Sequence, residues 1–395
     1  MTSTLAHLLP LEALGEGRKR AALFFTTFFF TSLATYMAIV FIPLYALKLT
    51  DSLSLISLLT TAYYLAFTTS LPLYGRLSDR IGTYFAFTAI GAAATGITCM
   101  LIPTVGRIEQ LMVLRAAQGV SWALVAPMGA AMASMSTTKA LRGRAMGVFN
   151  LSVSSGYLAG SIVGGAVSEL YGLEAVFLLG GVSAILAAFM ALGLRGWKTP
   201  EPRRIKGKVE LRKVKVVYVG FALRNIGATG IWALLPIYLA SLGASDLWVG
   251  LLYMVNLASQ TALMGCVGNL TDKAGRKPVF LIGLFGSSLV FMFYGLAQNH
   301  LWIIPIHILL GLSWCSLITA STSYIGDESP EDAHGAMMSL LFTVTGLSWI
   351  IGSSLAAATV SFVGLRNYMF IAAGLSAIGG LYSAFKMQET LAKNP

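Results

Sequence analysis

The sequence predicts an all-α membrane protein in which twelve transmembrane helices form two six-helix bundles. Its 395 residues are 56% hydrophobic and only 11% charged, which is more apolar sequence than a soluble domain can bury. Apolar runs of about twenty residues recur along the chain, and each is long enough to span a hydrocarbon layer of roughly 30 Å. Landmarks of the first half also return in the second half. These three observations together predict the fold.

The apolar runs are continuous, rich in Leu and dotted with Gly, and they lack the period-two alternation of a membrane barrel. In chain order the first six are predicted at residues 21–47, 53–75, 82–103, 108–133, 144–171 and 174–194. The other six are predicted at residues 215–241, 247–268, 278–297, 301–325, 335–361 and 366–386. The first run is too long for a signal peptide, so we expect no cleavage.

The basic residues lie almost entirely in alternate loops, on one side of the membrane. That side carries Arg18, Lys19, Arg20, Arg76, Arg80, Lys139, Arg142, Arg144, the cations of residues 195–215, Lys273, Arg276, Lys277, Lys386 and Lys393. The other side carries only Lys48, Arg107 and Arg366. The positive-inside rule therefore predicts that both termini and the middle loop are cytoplasmic. The net charge of +11 is explained by topology, and no nucleic-acid partner is expected.

A polar segment divides the helices six and six, which predicts an N-terminal bundle at residues 1–195, a cytoplasmic linker at 196–213 and a C-terminal bundle at 214–395. The two halves repeat each other. The stretch "GRLSDRIG" at residues 75–82 matches "GNLTDKAG" at 268–275, and Pro43 matches Pro236 at the same spacing of 193. The pair Gly172 and Gly364 is spaced by 192. Two halves in one orientation predict a site between them that rocking exposes alternately.

On these motifs the chain resembles the major facilitator superfamily. The family pattern G-x-L-a-D-r-x-G-r-k is matched at Gly75, Leu77, Asp79, Arg80 and Gly82, and again at Gly268, Leu270, Asp272, Lys273, Gly275, Arg276 and Lys277. The pattern R-x-x-Q-G is matched at Arg115, Gln118 and Gly119. Gly156, Gly160, Gly164 and Gly165 are similar to the helix 5 glycine motif of the drug-efflux antiporter branch, with Ser161 where that branch usually has Pro.

The resemblance implies that Asp79 and Asp272 form a cytoplasmic gate, each reaching a helix of the opposite half. An acid beside a helix N-terminus is stabilised by about 1 kcal/mol, which is enough to bias a two-state equilibrium. Thr83 and Tyr84 stand where the second copy has Arg276 and Lys277. We therefore expect an asymmetric gate, with Arg80 serving Asp79, and Lys273 and Arg276 serving Asp272.

Ionisable residues inside the membrane are costly, so Arg115, Arg224 and His307 are candidates for a substrate or proton pathway. Gln118 and Trp122 share a helix face with Arg115, as Trp314 does with His307. Asn256 and Gln260 could add hydrogen bonds. The alternative for Arg115 is a side chain that snorkels outward, for His307 a neutral hydrogen-bonded ring, and for the amides a purely structural contact between helices.

None of the sixteen acids lies in the middle of a predicted helix. If protons drive transport, the candidates for the coupling site are Asp79, Glu169 and His307, and the alternative is that protons travel with the substrate. The chain has no H-E-x-x-H, no G-x-S-x-G and no phosphate loop, and we expect no enzyme. Cys99, Cys266 and Cys315 all fall inside predicted helices, so neither a disulfide nor a metal site nor another cofactor is expected.

These expectations favour a monomeric secondary transporter in the cell membrane, with a small-molecule substrate and a coupling proton. The glycine pattern in helix 5 favours efflux of amphipathic small molecules, similar to drug:proton antiport. One alternative is uptake or exchange of an organic anion bound by Arg224 and Arg115, because no acid balances these two cations. Another is a membrane sensor or scaffold that does not transport, because fold alone does not fix function.

Overall fold

A computed structural model describes residues 11–138, 141–197, 211–329 and 334–391, and within these ranges the chain is helical without strands. The first six helices are α1 Arg18–Ala46, α2 Leu53–Ile81, α3 Tyr84–Leu101, α4 Ile108–Met135, α5 Arg142–Tyr171 and α6 Leu173–Leu192. The next six are α7 Leu211–Ser241, α8 Asp246–Ala274, α9 Arg276–Leu296, α10 Ile303–Glu328, α11 His334–Val363 and α12 Leu365–Lys386. Short 3₁₀ turns lie at Leu11–Leu14, Ile102–Thr104 and His300–Trp302.

The same glycine turn joins the last two helices of each half. Gly172 lies between α5 and α6 with φ 85°, and Gly364 lies between α11 and α12 with φ 78°. A side chain at such a backbone angle would be strained, whereas glycine adopts it readily. The repeat seen in the sequence is therefore a repeat of backbone geometry.

The helices group into two compact units, with the same pairing in each. In the first unit α1 packs on α5 and α6, and α3 packs on α4 and α6. In the second unit α7 packs on α11 and α12, and α9 packs on α10 and α12. Residues 50–61 group with the second unit, where Ser57 Oγ donates to the Ser353 carbonyl at 2.9 Å. The predicted linker at 196–213 lies mostly outside the described residues.

The burial pattern is that of a protein dissolved in lipid. Large apolar side chains are exposed along the helices, among them Val113 (68%), Phe342 (70%) and Phe362 (87%). Such faces require an apolar solvent. Eleven of the described helices are long and apolar enough to cross a membrane, and the remaining one, α7, carries the buried Arg224 and Asn225. The predicted fold class is confirmed.

The helix 5 glycines bring α5 onto α1. A Cβ at Gly156 would lie 2.4 Å from the Phe29 carbonyl oxygen, and one at Gly160 would lie 2.6 Å from that of Leu33. Gly352 lies 192 residues after Gly160, and a Cβ there would lie 2.3 Å from the Ile226 carbonyl oxygen of α7. Small residues let helix backbones approach closely in a membrane. Of the other two glycines in the motif, Gly164 faces the Phe41 ring and Gly165 is buried.

Candidate functional site

Two equivalent glycines position the sites on α4 and α10. A Cβ at Gly119 would lie 2.2 Å from the Tyr63 carbonyl oxygen on α2, and one at Gly311 would lie 2.6 Å from Ser259 Cβ on α8. Arg115 lies one turn before Gly119, and His307 lies one turn before Gly311. Both ionisable side chains therefore enter closely packed helix pairs.

Arg115 is buried in the first unit, at 5% exposure. Its Nη1 donates to Gln118 Oε1 at 2.8 Å, and its guanidinium carbon lies 4.5 Å from the centre of the Tyr63 ring. Gln118 Nε2 in turn donates to Cys99 Sγ at 3.5 Å. Arg115 Nε has no hydrogen-bond partner among the described residues. Beside Arg115 lies a cavity of about 10 Å³, which is room for about one water molecule.

Trp122 belongs to an aromatic cluster of the same unit. Its ring centre lies 6.3 Å from that of Tyr157 on α5, which stacks on Tyr36 of α1 at 4.6 Å. These rings give the first unit an amphipathic interior, because each tyrosine combines an apolar face with a hydroxyl group.

Arg224 is buried in the second unit, at 3% exposure. Its Nε donates to Ser287 Oγ at 3.0 Å, and its Nη1 donates to Asn225 Oδ1 at 3.1 Å. The guanidinium carbon lies 5.0 Å from the centre of the Trp314 ring and 5.5 Å from that of Phe291. Arg224 and Trp314, which the sequence predicts as separate pathway residues, therefore share one site, which α7, α9 and α10 build together.

His307 is fully buried next to this site. Its Nδ1 lies 2.6 Å from the Leu252 carbonyl oxygen, so Nδ1 carries the proton of the neutral ring and Nε2 is an acceptor. Nε2 is buried without a described partner, as is the hydroxyl of Tyr294, whose ring meets His307 edge-on at 5.8 Å. Asn256 Nδ2 donates to the His307 carbonyl oxygen at 3.4 Å, and Gln260 Nε2 donates to Asn256 Oδ1 at 2.7 Å. The two predicted amides thus support α10.

The buried charges are unbalanced. In the described part of the chain the buried ionisable cations are Arg115 and Arg224, and no Asp or Glu is buried with them. Neutral hydrogen-bond acceptors and aromatic faces therefore take the place of a carboxylate. A buried charge without a counterion costs several kcal/mol, and a desolvated cation–π contact offsets about 2 kcal/mol of this.

The second copy of the loop motif forms a charge network at the start of α9. Arg276 Nε donates to Asp327 Oδ2 at 2.8 Å, while its Nη1 lies 3.5 Å from Asp272 Oδ1. The Asp272 side chain remains 71% exposed. Lys273 is exposed as well, so Arg276 is the described cation partner of Asp272.

A carboxylate from the tail completes this network. Glu389 accepts hydrogen bonds from the backbone N–H groups of Arg276 and Lys277, at 2.9 and 3.0 Å. Burial raises the pKa of Glu389. Hydrogen bonds from the backbone N–H groups of Leu391, Arg276, Lys277 and Thr390 lower it by more than burial raises it, so the pKa lies below its ordinary value. Gly275 leaves room for the carboxylate, since a Cβ there would lie 2.4 Å from Glu389 Oε2.

The first copy of the loop is built differently. Tyr84, which stands in the place of Lys277, is buried at 4% exposure in the core of its own unit. Arg80 is exposed, Gly75 and Gly268 have open space around them, and Gly82 turns the chain between α2 and α3 with φ 71°. The side chain of Asp79 lies outside the described residues, so its gate role stays a prediction.

The sequence does not predict several partners that the fold supplies, among them Tyr63, Ser287, Phe291 and Glu389. Ser287, Phe291 and Tyr294 recur at i, i+4 and i+7 on α9, and this spacing does predict one helix face. Nothing in the sequence connects that face to Arg224, 63 residues earlier. Nothing in the sequence indicates that Glu389 contacts the start of α9, because an acid in a tail is usually solvated.

Duplicated six-helix units with polar groups buried in a membrane define a polytopic transport protein. The sequence profile of the Major Facilitator Superfamily matches residues 24–225 and again residues 217–395. The chain belongs to the major facilitator superfamily, and it is a multi-pass membrane transporter rather than an enzyme.

Relatives and solved structures agree with this assignment. The chain is 23% identical over 392 residues to an MFS-type transporter, MJ1560, of Methanocaldococcus jannaschii, covering 95% of this chain and 100% of the relative. It is 24% identical to the multi-drug resistance efflux pump PmrA of Streptococcus pneumoniae, covering 81% of this chain and 83% of that protein. The crystal structure of the nucleoside transporter NupG matches 94% of this chain and all of that chain, with a TM-score of 0.78 at 12% identity, and shows the fold alone.

Proposed function

We propose that the protein is a secondary active exporter of amphipathic small molecules, which works by alternating access and uses a proton as coupling ion. Arg224 carries the proposal, because it is buried with aromatic rings and hydrogen-bonding groups but without a counterion. Such a site holds a ligand with both an apolar and a polar part. The similarity to the efflux pump PmrA supports the outward direction.

The loop motifs provide the proposed gate. Asp79 and Asp272 lie at the ends of α2 and α8, in equivalent positions of the repeat. We assign them the task of stabilising the state that is closed on the cytoplasmic side, with both termini in the cytoplasm as the positive-inside rule predicts. Replacing Asp79 by Asn keeps the size of the side chain and removes its charge, so transport should fall while folding and insertion persist.

His307 is the proposed site for the coupling proton. Glu169 is exposed near the end of α5, whereas His307 is fully buried and keeps an acceptor nitrogen without a described partner. Replacing His307 by Gln should abolish the dependence of transport on a pH gradient while leaving downhill exchange of substrate. A variant with unchanged proton dependence would remove His307 from this role.

Flux measurements in proteoliposomes test the function. Fluorescent amphiphiles should accumulate against their gradient when an opposing pH gradient is imposed, and Asp79→Asn should stop this accumulation. Accumulation with the gradient reversed would favour uptake or exchange. A protein that binds these compounds but moves none of them would be the sensor or scaffold that the sequence leaves open.

A further inference from the structure

We infer that the second unit binds amphipathic anions at Arg224, through an apolar body on Trp314 and a carboxylate or sulfonate on the guanidinium. The inference rests on the proposed export function and adds the charge of the substrate to it. Its basis is a surplus of buried hydrogen-bond donors around one uncompensated cation.

Among the described side chains at this site, the unpartnered donors outnumber the one unpartnered acceptor, Nε2 of His307. Arg224 donates hydrogen bonds from Nε and Nη1 to two neutral acceptors, Ser287 Oγ and Asn225 Oδ1. The Nδ2 of Asn225 and the hydroxyl of Tyr294 are buried without a hydrogen-bond partner among the described residues. Buried polar groups are normally satisfied, and unsatisfied donors beside a cation call for an acceptor with negative charge. An oxyanion supplies both the hydrogen-bond acceptor and the negative charge, whereas Arg224 would repel a cationic ligand.

No acid in the described part of the second unit pairs with the guanidinium of Arg224. The acids of the described second unit lie in a loop, at helix ends or in the tail: Asp51, Asp246, Asp272, Asp327, Glu328 and Glu389. Three of these, Asp272, Asp327 and Glu389, already contact residues at the start of α9. None of these described acids is a counterion of Arg224.

The open edge of the site is at Trp314. Ser287, Asn225 and Phe291 are exposed by at most 1%, whereas Trp314 is only half-buried. The Trp314 ring lies 6.0 Å from that of Phe221 and 5.0 Å from the guanidinium carbon. An anion that approaches over this ring can keep an aromatic body on Trp314 while its oxygens reach Arg224, so the site selects amphipathic anions over small inorganic ones.

Three dansyl compounds that differ in charge test the inference. Dansylglycine is an anion, dansylglycinamide is its neutral match, and dansylcadaverine is a cation. Energy transfer from the seven tryptophans of the purified protein to the dansyl group of the ligand measures binding, and the part that Trp314→Phe removes reports on binding near Trp314. We expect dansylglycine to bind at least tenfold more tightly than the other two, and Arg224→Gln to weaken its binding roughly tenfold to hundredfold.

Matched variants keep the test decisive. Arg366→Gln removes a cation of the same unit whose Nη2 bonds the Ala297 carbonyl oxygen, and it should bind dansylglycine as the parent does. Should Arg224→Gln fail to fold, Arg224→Lys keeps the charge and loses the planar fork, and should bind more weakly. Trp314→Phe should lower the energy transfer.

Three outcomes overturn the inference: equal or tighter binding of the amide or the cation, unchanged binding in the folded Arg224 variants, or no binding of any compound. Flux of the same compounds in proteoliposomes separates it from the proposed function. If dansylcadaverine is exported and dansylglycine is not, export stands and the anion site falls. If dansylglycine binds through Arg224 but is never moved, the anion site stands and export falls.

Discussion

The two buried arginines solve the same electrostatic problem in different ways. Arg115 bonds Gln118, three residues further along its own helix, and lies over the ring of Tyr63. Arg224 bonds Ser287 on α9 and contacts the rings of Trp314 and Phe291. The first arginine is thus held mainly within one helix, whereas the second ties three helices together. The first site depends on a single polar partner, and the second does not.

Two buried thiols allow each unit to be followed separately. Cys99 lies in the first unit and Cys315 in the second, and both are buried, whereas Cys266 is exposed. In a Cys266→Ser background, the denaturant midpoint for thiol labelling of Cys99 therefore reports on the first unit and that of Cys315 on the second.

Replacing Gln118, the single polar partner of Arg115, should have the largest effect on stability. Gln118→Ala leaves the Arg115 guanidinium without a described polar partner, and we expect the free energy of unfolding of the first unit to fall by about 3 kcal/mol. Asn225→Ala leaves Ser287 on Arg224 and should cost about 1 kcal/mol. Midpoints are compared rather than native labelling rates, because Gln118 also contacts Cys99 Sγ. Equal losses in the two units would contradict the comparison.

Replacing Gly119, which packs against the backbone of Tyr63, should cause the second-largest loss of stability. A Cβ at Gly119 would lie 2.2 Å from a backbone oxygen of Tyr63, so Gly119→Ala must push α2 away from Arg115 and should cost about 2 kcal/mol. The Cys99 midpoint should fall and the Cys315 midpoint should not. Gly374→Ala is the matched control, because nothing lies within 4 Å of its Cβ position. A loss of stability in the control as large as that of Gly119→Ala would refute the steric explanation.

The tail carboxylate of the second unit should contribute less. Glu389→Gln weakens the hydrogen bonds to the start of α9 and should cost about 1 kcal/mol, seen at Cys315 and not at Cys99. The pKa of Glu389 is lowered by folding from its ordinary value of 4.5. Its contribution is therefore present above pH 4.5 and is lost as the pH falls through the lower pKa of the folded state.

The pH series has its own control. Gln388→Ala changes the exposed neighbour of Glu389 and should leave both midpoints unchanged at every pH. The difference between parent and Glu389→Gln should shrink as the pH falls from 4.5 through the lower pKa of the folded state. A difference that stays constant over that range would show that the carboxylate charge has no part in the contact.

The sequence predicts the features that the two halves share and the ionisable residues that are costly to place in a membrane. The 192- and 193-residue spacing predicts the pairs Gly172/Gly364 and Pro43/Pro236, and both pairs occupy matching positions in the helices. The expense of ionisable residues in lipid singles out Arg115 and Arg224, and both are buried. Their partners could not be predicted in the same way, because Tyr63 and Ser287 reach them from other helices. Contacts of that kind depend on crossing geometry, which the hydrophobic pattern of a single helix does not encode.

An exposed ion pair of the first unit should have the smallest effect. Lys48 Nζ lies 2.7 Å from Glu174 Oε1, but the two side chains are 50% and 44% exposed. Water and salt screen such a pair, so Lys48→Met should change the Cys99 midpoint by less than about 1 kcal/mol, and less still at high salt. Gln118→Ala removes a hydrogen bond of nearly the same length, 2.8 Å, from an arginine that is only 5% exposed. If the surface variant lost as much stability as the buried one, burial would not be what makes Arg115 dependent on its partner.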